Sequence, residues 1–123
     1  MTLEELRNFC LSLPGVTEDI KWEEHLCFCV GTKMFIITSP DKFPVDASFK
    51  TTPELFEYYA AMDGFTQAPY FAKHQWLHID NIESLPEEEW KTLLKTAYDL
   101  VFSKLTKKVK EEIMGTSAKK AQG

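Results

Sequence analysis

The sequence predicts a two-layer α+β domain, an antiparallel sheet with helices packed on one face, and three observations point to it. Helical spacing of apolar residues opens and closes the chain, alternating apolar residues fill much of its first half, and 123 residues suit a single core. The expected element order is α-β-β-β-α-β-β-α.

Thr2 can cap the first helix, and Glu5 three residues later completes a capping box; Leu3, Leu6, Cys10 and Leu13 then recur at helical spacing. Leu13-Pro14-Gly15 stops it. Alternation takes over in residues 25–30 and 33–38, with Gly31-Thr32 between them as a two-residue turn, expected to be type II′ because glycine comes first. That loop sets Val30 opposite Lys33, Cys29 opposite Met34, Phe28 opposite Phe35, Cys27 opposite Ile36 and Leu26 opposite Ile37. One face of the hairpin would carry Leu26, Phe28, Phe35 and Ile37, and the other Cys27, Cys29, Met34 and Ile36. Two apolar faces require either a cover for the second or a partner on it.

Residues 45–50 read as a third strand. Thr52-Pro53-Glu54 opens a helix with a capping hydroxyl, proline in the first turn and an acid near the positive end of the dipole; Leu55, Phe56, Tyr59 and Met62 form its stripe. Short strands are expected near Tyr70-Phe71 and over residues 75–79. Ser84 with Glu87 reads as a second capping box around Pro86, opening a long helix whose stripe is Trp90, Leu93, Leu94, Ala97, Val101 and Leu105. The domain is expected over residues 1–108, with 109–123 a C-terminal extension, helical and then frayed.

Composition narrows the function classes. The longest apolar runs are a few residues, far short of the roughly 20 that cross a bilayer, and the acidic start, Met1-Thr2-Leu3-Glu4-Glu5, is unlike a secretory signal. A cytoplasmic location without membrane contact is expected. The odd set of Cys10, Cys27 and Cys29 is a poor disulfide framework and reads as free thiols. The net charge of −5 opposes long-range attraction to phosphate, although residues 102–123 hold six lysines against Glu111 and Glu112.

A set of short motifs resembles the MmcQ/YjbR family of small bacterial proteins. They are Leu13-Pro14-Gly15, Asp19 to Trp22, Val30-Gly31-x-Lys33-Met34-Phe35, Phe49-Lys50, Pro69-Tyr70 and Lys73-x-x-Trp76, in family order over residues 1 to about 108. The resemblance implies a two-layer fold similar to that of secretion chaperones and a DNA-binding role. One departure stands out: His74 and Gln75 occupy positions where the family usually has a second basic residue and then His, so the basic cluster is thinner there.

Lys33, Lys50 and Lys73 are the matched lysines, each near an aromatic residue in sequence, and with His74 and Trp76 they form the candidate nucleic-acid site. Interleaved cations and aromatics suit phosphate neutralisation and base stacking. The alternative is that the rings are core and the lysines snorkel at its edge. His25, Cys27 and Cys29 share a strand face, but same-face neighbours about 6.8 Å apart converge poorly on one ion, so no metal is expected. No G-x-S-x-G elbow and no glycine-rich phosphate loop occur, and the glutamate pairs that open helices suit the dipole. The expectation is a non-catalytic binding module without cofactor, binding DNA weakly. The alternative is a protein-interaction or chaperone-like module or a homodimer, using the face of Cys27, Cys29, Met34 and Ile36.

Overall fold

The computed structural model describes residues 1–68 and 76–122, with 116–122 as backbone. The described elements run α1 (Leu3–Ser12), β1 (Val16–Lys21), β2 (His25–Val30), β3 (Lys33–Thr38), β4 (Ala47–Lys50), α2 (Pro53–Ala60), β5 (Phe65–Gln67) and β6 (Trp76–Ile79). A 3-10 turn, Ile82–Ser84, leads into α3 (Glu87–Phe102) and α4 (Lys107–Gln122). The strands form one antiparallel sheet in the order β1-β2-β3-β4-β6-β5. This is the α+β architecture expected, with α1, α2 and α3 packed along the sheet.

Local chemistry explains where helices begin. Thr2 Oγ1 accepts from Glu5 N at 3.2 Å while Glu5 Oε1 accepts from Thr2 N at 3.0 Å, the reciprocal capping box. Thr52 caps α2 by accepting from Leu55 N, ahead of Pro53. The expected box at Ser84 does not form. Ser84 donates instead to Asn81 O, Asn81 caps the 3-10 turn, and α3 starts after Pro86 without a side-chain cap, its first turn carrying Glu87, Glu88 and Glu89.

Trp90, Leu93, Leu94, Ala97, Val101 and Leu105 are all buried, as their spacing predicts, and Tyr98 joins them. Trp90 is fully buried against Phe49 at 5.3 Å, and its Nε1 donates to Ile82 O at 2.7 Å, so its one polar atom is satisfied inside the core. In α2 the stripe is partial: Tyr59 is buried, but Met62 lies past the helix end and is exposed.

Two features of the hairpin differ from expectation. Gly31 and Thr32 both have positive φ, 56° and 68°, so the turn is of type I′ rather than II′. Glycine is needed there twice over, because a Cβ on Gly31 would sit 2.7 Å from the Leu105 side chain. The second difference is a bulge between Phe28 and Cys29. Val30 faces Lys33 and Cys29 faces Met34 as expected, but Phe28 then faces Ile36, Cys27 faces Ile37 and Leu26 faces Thr38. One extra residue on β3 moves every later side chain by one place. Phe28, Val30, Phe35 and Ile36 therefore all enter the core, and Ile37 takes the place beside Cys27 that Ile36 was expected to hold.

β1 has no counterpart among the expected strands, nor does β5 at Phe65–Gln67; the strand expected near Tyr70-Phe71 lies outside the described residues. At the other end, α4 contributes to the fold through Val109 and Ile113, which pack on the core; Ile113 approaches Gly15 and Val109 approaches Gly31.

Candidate nucleic-acid interface

The sheet face away from the core carries β4 and β6 side chains in register. Ser48 pairs with His78 and Lys50 with Trp76 across these strands, and the alternation that buries Ala47, Phe49, Leu77 and Ile79 in the core turns Ser48, Trp76 and His78 the other way. Asp46 and Asp80 flank this strand pair at one end, and Lys50 stands at the other.

At the Lys50 end, cations gather from three segments. Lys50 ends β4, Lys33 begins β3, and Lys104 follows α3. Lys50 is half-buried, and its burial, the ammonium of Lys104 beside it and the charge of Lys33 hold its pKa below the ordinary lysine value. Among the described residues no carboxylate pairs with any of the three, whereas Lys21, Lys42, Lys91, Lys95 and Arg7 each have an acidic partner. Next in the chain, Thr51 is 2% exposed and its Oγ1 is buried without a hydrogen-bond partner.

Of the residues expected to form the site, the structure therefore brings Lys33 and Lys50 together and sets Trp76 opposite Lys50 in the ladder. Trp76 is 5% exposed, so its ring packs into the protein and is not open as a stacking platform. Lys73 and His74 lie outside the described residues. Lys104 was missed. It matches no short motif, and its only sequence signal is the lysine excess after residue 102.

The opposite end is self-contained. Asp46 is buried, with Lys42 Nζ at 2.8 Å and His78 Nε2 at 3.5 Å; Ser39 also hydrogen-bonds it. Burial pushes its carboxyl up, but the bonds from Lys42 and Ser39 and the charges of His78 and Lys42 outweigh this, leaving its pKa below the ordinary aspartate value. Ser48 Oγ lies 2.9 Å from His78 Nδ1. Serine, histidine and aspartate thus adjoin in the manner of a nucleophile relay, a grouping whose signal in the sequence is Asp46-x-Ser48 against His78-x-Asp80. Ser48 is only 9% exposed, and 3.5 Å from imidazole nitrogen to carboxylate is long for an orienting hydrogen bond. The open pocket beside it, about 530 Å³, is lined by Glu24, His25, Ser39, Asp41, Lys42 and Asp46. No group of three His, Cys, Asp or Glu side chains among the described residues is arranged to hold a metal ion.

All three cysteines are buried, and burial pushes the Cys10 and Cys27 thiols up to about 12, away from the reactive thiolate. Cys27 is 0% exposed and Cys29 6%, so neither is open on its sheet face.

A family model described as YjbR matches residues 11–100, spanning the sheet and most of α3. The chain belongs to the YjbR family. Its fold is similar to that of the Deinococcus radiodurans protein DR2400, whose crystal structure is described with the family-model domain DUF419. The TM-score is 0.81 at 28% identity, over 91% of this chain and 87% of that one. A protein from Pseudomonas syringae shares the fold at a TM-score of 0.68 and 17% identity, over 82% of this chain and 99% of that one. No curated protein matches the chain. None of the described helices is long and apolar enough to cross a membrane.

Proposed function

We propose that this YjbR-family protein is a non-catalytic, cytoplasmic module that binds nucleic acid weakly through its phosphates, at the cluster of Lys33, Lys50 and Lys104. The observation that carries the reading is the half-buried Lys50 held among like charges with no acid paired to it among the described residues. A protein gains nothing in stability from such an arrangement, whereas an anion placed there relieves the repulsion. Lys73 and His74, three and two residues before Trp76, add basic residues beside it in sequence. A docking role for the face of Cys27, Cys29 and Met34 is the weaker reading, because both thiols are already covered and only Met34 and Ile37 keep partial exposure there.

With a net charge of −5 the protein must bind through this local patch alone. The affinity is expected in the range of about 10⁻⁴ to 10⁻⁶ M that non-specific contacts give. About three phosphates engaged give a slope of log K against log salt near −2 to −3. Fluorescence anisotropy with labelled single-stranded and duplex oligonucleotides at low salt measures both. The triple variant Lys33→Glu, Lys50→Glu, Lys104→Glu should bind neither. Unchanged binding by that variant, or no binding by the wild type, overturns the proposal.

A further inference from the structure

Among the described residues the sheet has two free edges. β5 is only three residues long, but β1 runs six residues, Val16–Lys21, with no proline, and one of its sides pairs with nothing described. Such an edge presents unpaired N–H and C=O groups ready to template another strand. It also exposes apolar surface: Ile20 is 57% exposed, and Trp22 just beyond the strand is 69% exposed. Trp22 and Glu23 hold positive φ of 52° and 62° in the β1–β2 turn, which keeps the strand end tight against β2.

We infer that β1 is a self-association edge, at which two copies of this chain pair antiparallel about a two-fold axis through Ile20 and continue the sheet from one subunit into the next. The charges along β1 select this register. A two-fold axis normal to the sheet keeps each side chain on its own face, so it must pass through a residue, which then stands opposite its own copy. Centring on Glu18, Asp19 or Lys21 would set like charges directly opposite each other, which is destabilising. Centring on Thr17 leaves Ile20 and Trp22 outside the pairing. Centring on Ile20 sets isoleucine against isoleucine and Asp19 against the second copy's Lys21, twice by symmetry.

The same register carries the second copy's Trp22, in the turn just beyond β1, toward Glu18. An open groove of about 470 Å³, lined by Arg7, Glu18, Asp19, Ile20 and Leu26, runs beside that position. Within one chain Lys21 now reaches Asp19 at 3.3 Å, and both are substantially exposed, so exchanging this partner for one across the axis costs little. Glu18 is already held by Arg7 through two bonds of 2.7 and 2.8 Å.

The ladder is short, so the dimer should be reversible and weak, with a Kd on the order of 10–100 μM. Sedimentation equilibrium of the full chain from about 1 to 500 μM brackets that range. The wild type should shift from monomer to dimer. Asp19→Lys should weaken the dimer at least about tenfold, because it sets two ammonium groups opposite each other on both sides of the axis. The double variant Asp19→Lys, Lys21→Asp restores complementary pairs and should restore the dimer. Circular dichroism melts confirm that the variants fold, and Ile20→Lys, at an exposed site, gives a second break should either charge variant misfold. A wild type that stays monomeric throughout overturns the inference. So does a dimer indifferent to Asp19→Lys and Ile20→Lys, and so does a double variant that stays monomeric.

Discussion

The two ends of the β4–β6 strand pair carry charges of comparable number and treat them in opposite ways. At the Asp46 end, Lys42, Ser39 and His78 surround a buried carboxylate and the buried charge has partners. At the Lys50 end, Lys33 and Lys104 add like charge to a half-buried ammonium, and the hydroxyl of Thr51 is buried without a partner. Buried polar groups that satisfy one another serve the fold; unsatisfied groups of one sign are kept at a cost, which is what the proposed phosphate contact would offset.

The largest effect that separates the two ends is on stability. Asp46→Ala should lower unfolding stability by about 1–3 kcal/mol, since it removes a buried acceptor and leaves Lys42, Ser39 and His78 facing an empty position. It should leave oligonucleotide affinity unchanged. The pH dependence follows from the lowered carboxyl. Because the folded pKa lies below the ordinary value of 3.8, the contribution of Asp46 is fully present above that value and is lost as pH falls through the folded pKa. The gap in denaturant midpoint between wild type and Asp46→Ala should therefore hold from pH 7 down to about 4 and narrow below it. A gap that instead closes as pH rises contradicts the assignment.

The Lys50 end should respond in the opposite sense and more weakly. Lys50→Met removes a repelled, half-buried charge and should raise Tm of the free protein by roughly 1–3 °C, while it weakens oligonucleotide binding. A lysine whose folded pKa is depressed opposes folding while both states are charged, and that opposition is relieved as pH rises from the folded pKa toward 10.5, so the variant's advantage should shrink in that window. A fall in Tm at neutral pH would mean that Lys50 is structural.

Much of the fold was legible where one local rule dominates. Thr2 with Glu5 and Thr52 with Pro53 mark helix starts because capping is a matter of three or four adjacent residues, and the α3 stripe from Trp90 to Val101 is read from its period. β1 was not legible. An edge strand with Thr17, Glu18 and Asp19 facing water lacks the apolar alternation that announces a strand. Nor was the bulge, since Phe35 and Ile36 share the core through packing that no two-residue period records. For the candidate site, Lys33 and Lys50 were named from short motifs, but Lys104 enters only because α3 returns the chain to the end of β4, and the Asp46, Ser48 and His78 group exists only once β6 lies beside β4.

The C-terminal lysines offer a rival location for phosphate contact, and shortening the chain after Lys108 is a poor control because it would remove Val109 and Ile113 from the core. The most direct measurement is therefore an NMR titration of the intact ¹⁵N-labelled protein with a short oligothymidylate at low salt, reading the backbone amides. The account predicts that the largest shifts fall on Lys33, Lys50, Thr51 and Lys104 and saturate together, with Ser39, Asp41 and Asp46 unmoved. Shifts confined to α4 or to the Asp46 end, or none at any concentration, would contradict it.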